Sequence, residues 1–96
     1  MTLTTFDVAE HLESPEAIAS FLADAFETGD AGYISHALGL VARAKGMTAI
    51  AKEAGLSRES LYKALNADGH PKMETILKVM KALGVTMSVE AAKVTA

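Results

Sequence analysis

The sequence predicts an all-α domain of five helices followed by one short C-terminal β-strand. Three observations lead there. Apolar residues recur at three- and four-residue spacing in five separate stretches. Each stretch closes at a glycine or at a turn-rich segment. The last apolar stretch, "VTMSVEA", alternates instead, with Val85, Met87 and Val89 on one side and Thr86, Ser88 and Glu90 on the other. Ninety-six residues, 50% of them apolar, fit one domain built around one core.

The elements follow in order. Ser14 caps the first helix, Pro15 takes the first helical position, and Glu16 places a carboxylate in the first turn, where the helix dipole favours it. Ile18, Phe21, Leu22, Ala25 and Phe26 form the apolar face, and Gly29 is the stop. Asp30 caps the second helix. Its apolar face is Tyr33, Ile34, Ala37, Leu38 and Val41, and Arg43 and Lys45 close its last turn before Gly46. Thr48 caps a short third helix, "AIAKEA", which stops at Gly55. Ser57 caps a fourth, "RESLYKAL". A turn, "NADGHPK", is marked by Asp68-Gly69 and Pro71. The fifth helix, "METILKVMKAL", buries Ile76, Val79, Met80 and Leu83 and ends at Gly84. A lone strand over residues 85–91 cannot form a sheet. Its partner is the N-terminal segment, a second copy of the chain or another protein. The single domain, 1–96, thus divides into an acidic arm with an extra helix (1–29), a helical core (30–84) and the terminal strand (85–91).

Several chemistries are excluded. With no cysteine there is neither a disulfide framework nor a thiolate metal site. His11, His36 and His70 lack metal-ligand spacing, so no metal is expected. The glycines read as helix stops, not as a phosphate loop. Glu10 and Glu13 read as a solvated face before an acid–base pair. We expect no enzyme and no cofactor. The opening "MTLTTFDVAEHLESPE" has no basic region and no long apolar run, and no stretch reaches bilayer length. By elimination the expectation is a soluble cytoplasmic protein without a membrane partner.

The net charge of −3 argues weakly against nucleic acid, but its distribution is bipolar. Seven carboxylates and no Lys or Arg fall in residues 1–42, whereas residues 43–81 carry eight basic and four acidic side chains. The basic part contains "AKEAGLSRESLYKAL". There the spacing fits a helix-turn-helix: small Ala51, then Gly55 for the turn, then Leu61 facing inward, with Ile50, Ala54, Leu56 and Leu65 around them. The amino-terminal turn of such a second helix reaches base edges in the major groove. Here it carries Arg58, which suits guanine O6 and N7, and Glu59, which suits cytosine N4 or else orients Arg58. Lys63 is assigned to phosphate, and Tyr62 and Asn66 stay open between phosphate and base. Thr48, Ser57 and Lys72 complete the candidate DNA-binding set, with His70 beside it in the turn.

The segment "GMTAIAKEAGLSRESLYKALNADGHPKMETILKVMKALG" resembles the λ-repressor-type helix-turn-helix of HigA-like antitoxins. More narrowly, "FDVAEHLESPEAIASFLADAFETGD", "ARAKGMT" and "GLSRESLYKAL" are similar to the addiction-module antidote family over nearly the full chain. The resemblance implies a λ-repressor-like domain and an antitoxin of a type II toxin–antitoxin pair. It implies a homodimer that represses its own operon and neutralises a RelE/ParE-superfamily toxin, HigB-like in type. It gives Arg58 and Glu59 the base-reading role. The other reading is a free-standing repressor of phage type, with no toxin.

One feature of the residues themselves fits a toxin partner. RNA-cleaving toxins are expected to be basic, and the acidic, semi-apolar arm would be steered to such a surface. Phe6, Val8, Glu10, Leu12 and Glu13 are therefore the candidate toxin contacts. Equally, Phe6, Val8 and Leu12 could cover the domain's own core. Val85, Met87 and Val89 are the candidate dimer contacts, with packing inside the chain as the alternative.

Overall fold

The computed structural model describes residues 11–93. From residue 14 on, five helices follow one another among the described residues: α1 (Pro15–Glu27), α2 (Ala31–Lys45), α3 (Met47–Ala54), α4 (Arg58–Ala64) and α5 (Met73–Ala82). All five were expected, and their starts show why. The Ala17 N–H donates to Ser14 Oγ (3.1 Å), the Tyr33 N–H to Asp30 Oδ1 (3.0 Å) and the Ser60 N–H to Ser57 Oγ (3.0 Å). Each bond satisfies a backbone donor that the first turn of a helix leaves unpaired.

The third helix departs from expectation. It begins at Met47, and Gly46, not Thr48, occupies its cap position, with no side-chain bond. Gly46 (φ +107) serves both helices at once. Its N–H donates to the Ala42 and Arg43 carbonyls and closes α2; its own carbonyl accepts from Ile50 N–H and opens α3. A junction this short leaves no residue between the helices to act as a separate cap. Thr48 sits exposed in the first turn of α3.

The expected C-terminal strand is the second departure. Gly84 turns the chain (φ +81), and residues 85–93 then run on in neither helix nor strand. The alternation is real but is used differently. Val85 and Met87 are half-buried against the core, Thr86 and Ser88 are exposed, and Val89 is 96% exposed. A strand needs a neighbouring ladder, and no strand exists among the described residues of this chain.

α3 is the hub of the packing: it contacts α2, α4 and α5, while α1 packs on α2. Ile18, Leu22, Leu38, Val41, Leu61, Leu65 and Val79 are fully buried and hold the layers together. Burying each such side chain contributes about 1.5–3 kcal/mol. Tyr33, expected on the apolar face of α2, is instead largely exposed.

Gly39 does not behave as a helix stop. It lies inside α2, buried, and an ideal Cβ there would overlap the Leu65 carbonyl oxygen and come within 2.7 Å of Arg43 Nη1. One turn pair earlier, a Cβ at Gly32 would stand 2.9 Å from the Ala67 carbonyl oxygen. The chain leaving α4 therefore lies directly on the backbone of α2. We predict that Gly39→Ala lowers the free energy of unfolding in urea by about 1–3 kcal/mol, as overpacking does, despite the roughly 1 kcal/mol that alanine gains in a helix interior. A more stable variant would show that this contact can open at no cost.

Candidate nucleic-acid interface

α3 and α4 are joined by three residues, Gly55 to Ser57. Gly55 is left-handed (φ 70°, ψ 31°), a conformation that suits a residue without Cβ. Its N–H returns to the Lys52 carbonyl (3.2 Å), and Leu56 N–H reaches the Ala51 carbonyl (2.9 Å), which closes α3 in the Schellman manner. Ser57 then starts α4 at once. Ala51 and Ala54 are buried, and Leu61 and Leu65 have no exposed surface, so the inward set is the one the spacing predicts. Small residues on α3 let α4 pack close.

The outward side of α4 carries Arg58, Glu59, Tyr62 and Lys63, all exposed. Arg58 Nη2 donates to the Tyr62 hydroxyl (3.5 Å), and its guanidinium carbon stands 5.5 Å from the Tyr62 ring centroid. Tyr62, not Glu59, is thus what holds Arg58. A second cation shares that ring: Arg43, from the end of α2, lies 5.3 Å from the same centroid. Among the described residues the sole ion pair joins Lys78 to Glu74 (3.1 Å), so Arg43, Arg58 and Lys63 have no carboxylate partner. In the sequence Arg43 is only a cation suited to a helix end. Nothing local in the sequence could have placed it beside Tyr62.

Asn66 is engaged internally. Its Nδ2 donates to the Tyr62 and Lys63 carbonyls (both 3.0 Å), and its Oδ1 accepts from Asp68 N–H (2.9 Å). Both amide hydrogens therefore close the carboxyl end of α4 and are not offered outward. Lys72 is exposed at the cap position of α5, and His70 is exposed in the preceding turn.

Elsewhere the expected contacts separate. Phe6, Val8 and Glu10 lie outside the described residues. Leu12 is 7% exposed and belongs to the core, so it offers no surface to a toxin, whereas Glu13 is exposed. Val85, Met87 and Val89 line an apolar groove of about 260 Å3 together with Leu22, Phe26 and Met80. Among the described residues, no three His, Asp or Glu side chains are grouped to hold a metal, and no helix is long and apolar enough to cross a membrane.

The comparisons with known proteins bear on the whole chain. A family model described as "Probable addiction module antidote protein" matches residues 2–91. The chain belongs to the addiction-module antidote family. An uncharacterized protein of Haemophilus influenzae is 48% identical to this family member over 88 residues, covering 92% of this chain and 91% of that one. No solved structure matches. The family match takes in α3, α4, Arg43 and the segment after Gly84 alike. It gives the antidote a toxin as partner, and the resemblance read from the sequence holds at the level of this family.

The cap geometry can be checked by substitution. Ser57→Ala should cost about 1 kcal/mol of stability in urea, the usual loss for a capping side chain. Thr48→Ala, which removes no cap bond, should stay within about 0.5 kcal/mol of the parent. The reverse ranking would return the cap to Thr48.

Proposed function

We propose that the chain is the antitoxin of a type II toxin–antitoxin pair: a cytoplasmic, non-enzymatic homodimer that represses its own operon and neutralises a RelE/ParE-superfamily toxin of HigB type. One observation carries the DNA reading. α3, a three-residue turn and α4 pack at close quarters, and they leave an outward face around Tyr62 where Arg58 and Lys63 have no carboxylate partner among the described residues. This supports a λ-repressor-type helix-turn-helix, with α4 as the recognition helix.

In the major groove the amino-terminal turn of α4 meets base edges. Arg58 presents two parallel donors to guanine O6 and N7, and Glu59 accepts from cytosine N4. Lys63, Thr48, Ser57 and Lys72 serve the phosphates, which supply affinity and register but no sequence preference. Asn66 supports them by closing α4, not by touching DNA.

Two copies place two recognition helices about one DNA turn apart, ~34 Å. The segment after Val85 supports such a pairing. Residues 86–90 make no backbone–backbone hydrogen bond among the described residues, and Val89 is exposed. The same segment of a second copy would supply the missing ladder through Val85, Met87 and Val89. Toxin binding is assigned to the acidic half, where Glu13, Glu16, Asp24 and Glu27 are exposed and Phe6, Val8 and Glu10 precede them. A toxin that cleaves RNA carries a basic surface, and opposite charge would speed the encounter.

Substitution separates the roles. Arg58→Ala should relax base preference at one position and lose about 1–3 kcal/mol there. Lys63→Ala should weaken binding to all duplexes alike and lower the salt slope by about 1. Equal, sequence-independent losses would remove Arg58 from the reading role. Both variants should still neutralise the protein encoded beside the antidote gene in a co-expression growth assay. If that protein stays active with the antidote in excess, the toxin reading fails and a free-standing repressor takes its place.

A further inference from the structure

Arg43 and Tyr62 stand together beside Gly39. The gap where a Cβ would sit on Gly39 is occupied in part by Arg43 Nη1 at 2.7 Å, so the Arg43 side chain folds back along α2 towards α4. Tyr62 receives it on its ring at 5.3 Å and receives Arg58 at 5.5 Å. Two cations, Arg43 from the end of α2 and Arg58 from the first turn of α4, thus converge on one aromatic ring in the next turn of α4.

The charge balance of this cluster is unusual. Each guanidinium gains from the negative face of the ring. The two cations repel each other, however, and neither has a carboxylate partner among the described residues. A cluster serving only to join α2 to α4 would gain more from one cation and one anion. What it lacks is an external anion, and it lies beside the proposed base-reading residue. Tyr62 is 37% exposed, so the cluster opens to the outside.

We infer that Tyr62 is the positioning residue for Arg58, and that Arg43 is a DNA-phosphate contact delivered from α2 beside the recognition helix. This rests on the DNA reading proposed above. The ring restrains the long Arg58 side chain before DNA arrives, so less rotamer freedom is lost on reading a base. Arg43 meets the phosphate that flanks the read base pair. That phosphate relieves the repulsion between the two guanidiniums, and the base contact and the backbone contact support each other through Tyr62.

The test uses the full chain and a randomised duplex library, followed by affinity titrations at several salt concentrations on the selected duplex. Tyr62→Leu should lose preference at the same base pair as Arg58→Ala, by roughly five- to 150-fold. Tyr62→Phe, which keeps the ring, should retain it. Arg43→Gln should keep the preference, weaken all duplexes and lower the slope of log affinity against log salt by about 1. Thermal melts confirm that each variant folds; if Tyr62→Leu does not, the Arg43→Gln slope and the effect of Tyr62→His on preference decide. Suppose Arg58→Ala relaxes selection while Tyr62→Leu and Arg43→Gln behave as the parent. Then the DNA reading stands and this inference falls. A parent protein that selects no sequence and binds no duplex overturns both.

Discussion

The missing side chain of Gly39 lets the chain leaving α4 lie against α2. Glycine in the middle of a helix costs roughly 1 kcal/mol relative to alanine. Here it lets the Leu65 carbonyl rest on the backbone of α2. Leu61 and Leu65, at the middle and end of α4, are fully buried, and each such leucine contributes about 1.5–3 kcal/mol. The burial outweighs the helix penalty. The same gap also holds Arg43 Nη1, 2.7 Å from where a Cβ would stand.

Local features of the fold were legible in the sequence, and relations across the fold were not. Ser14, Asp30 and Ser57 cap because a short polar side chain before an apolar run has one near donor to satisfy. Gly55 turns because no other residue takes that conformation as cheaply. Thr48 was misread because the same logic finds a capping residue wherever it looks, while Gly46 had already joined two helices without one. The strand was misread for a related reason. Alternation reports that one side of a segment is covered, and Val85 and Met87 are covered by helices, not by a sheet.

The candidate site divides in the same way. The inward Ala51, Leu61 and Leu65 and the outward Arg58, Tyr62 and Lys63 follow from helical periodicity alone. Asn66 does not. Its amide could serve DNA or its own helix, and only the hydrogen bonds to the Tyr62 and Lys63 carbonyls decide. Arg43 is nineteen residues from Tyr62 in sequence, and its helix-end position already had a sufficient explanation in the dipole. An adequate local reason hid a long-range one.

On the proposed function, the size of α4 bears on assembly. Arg58 and Glu59 would give one recognition helix two base contacts, each worth about 1–3 kcal/mol of discrimination. Specific binding typically stands about 4–10 kcal/mol above non-specific binding. One such helix falls near the bottom of that range, and two related by a twofold axis reach its middle. On that reading pairing would double the discrimination that one helix supplies. Residues 86–90, with Val89 exposed and no backbone–backbone hydrogen bond among the described residues, are the part of the described chain whose groups a second copy would complete. Because Val85 and Met87 also pack against the core that carries α4, ordering that segment in a dimer would stiffen the base from which both recognition helices project.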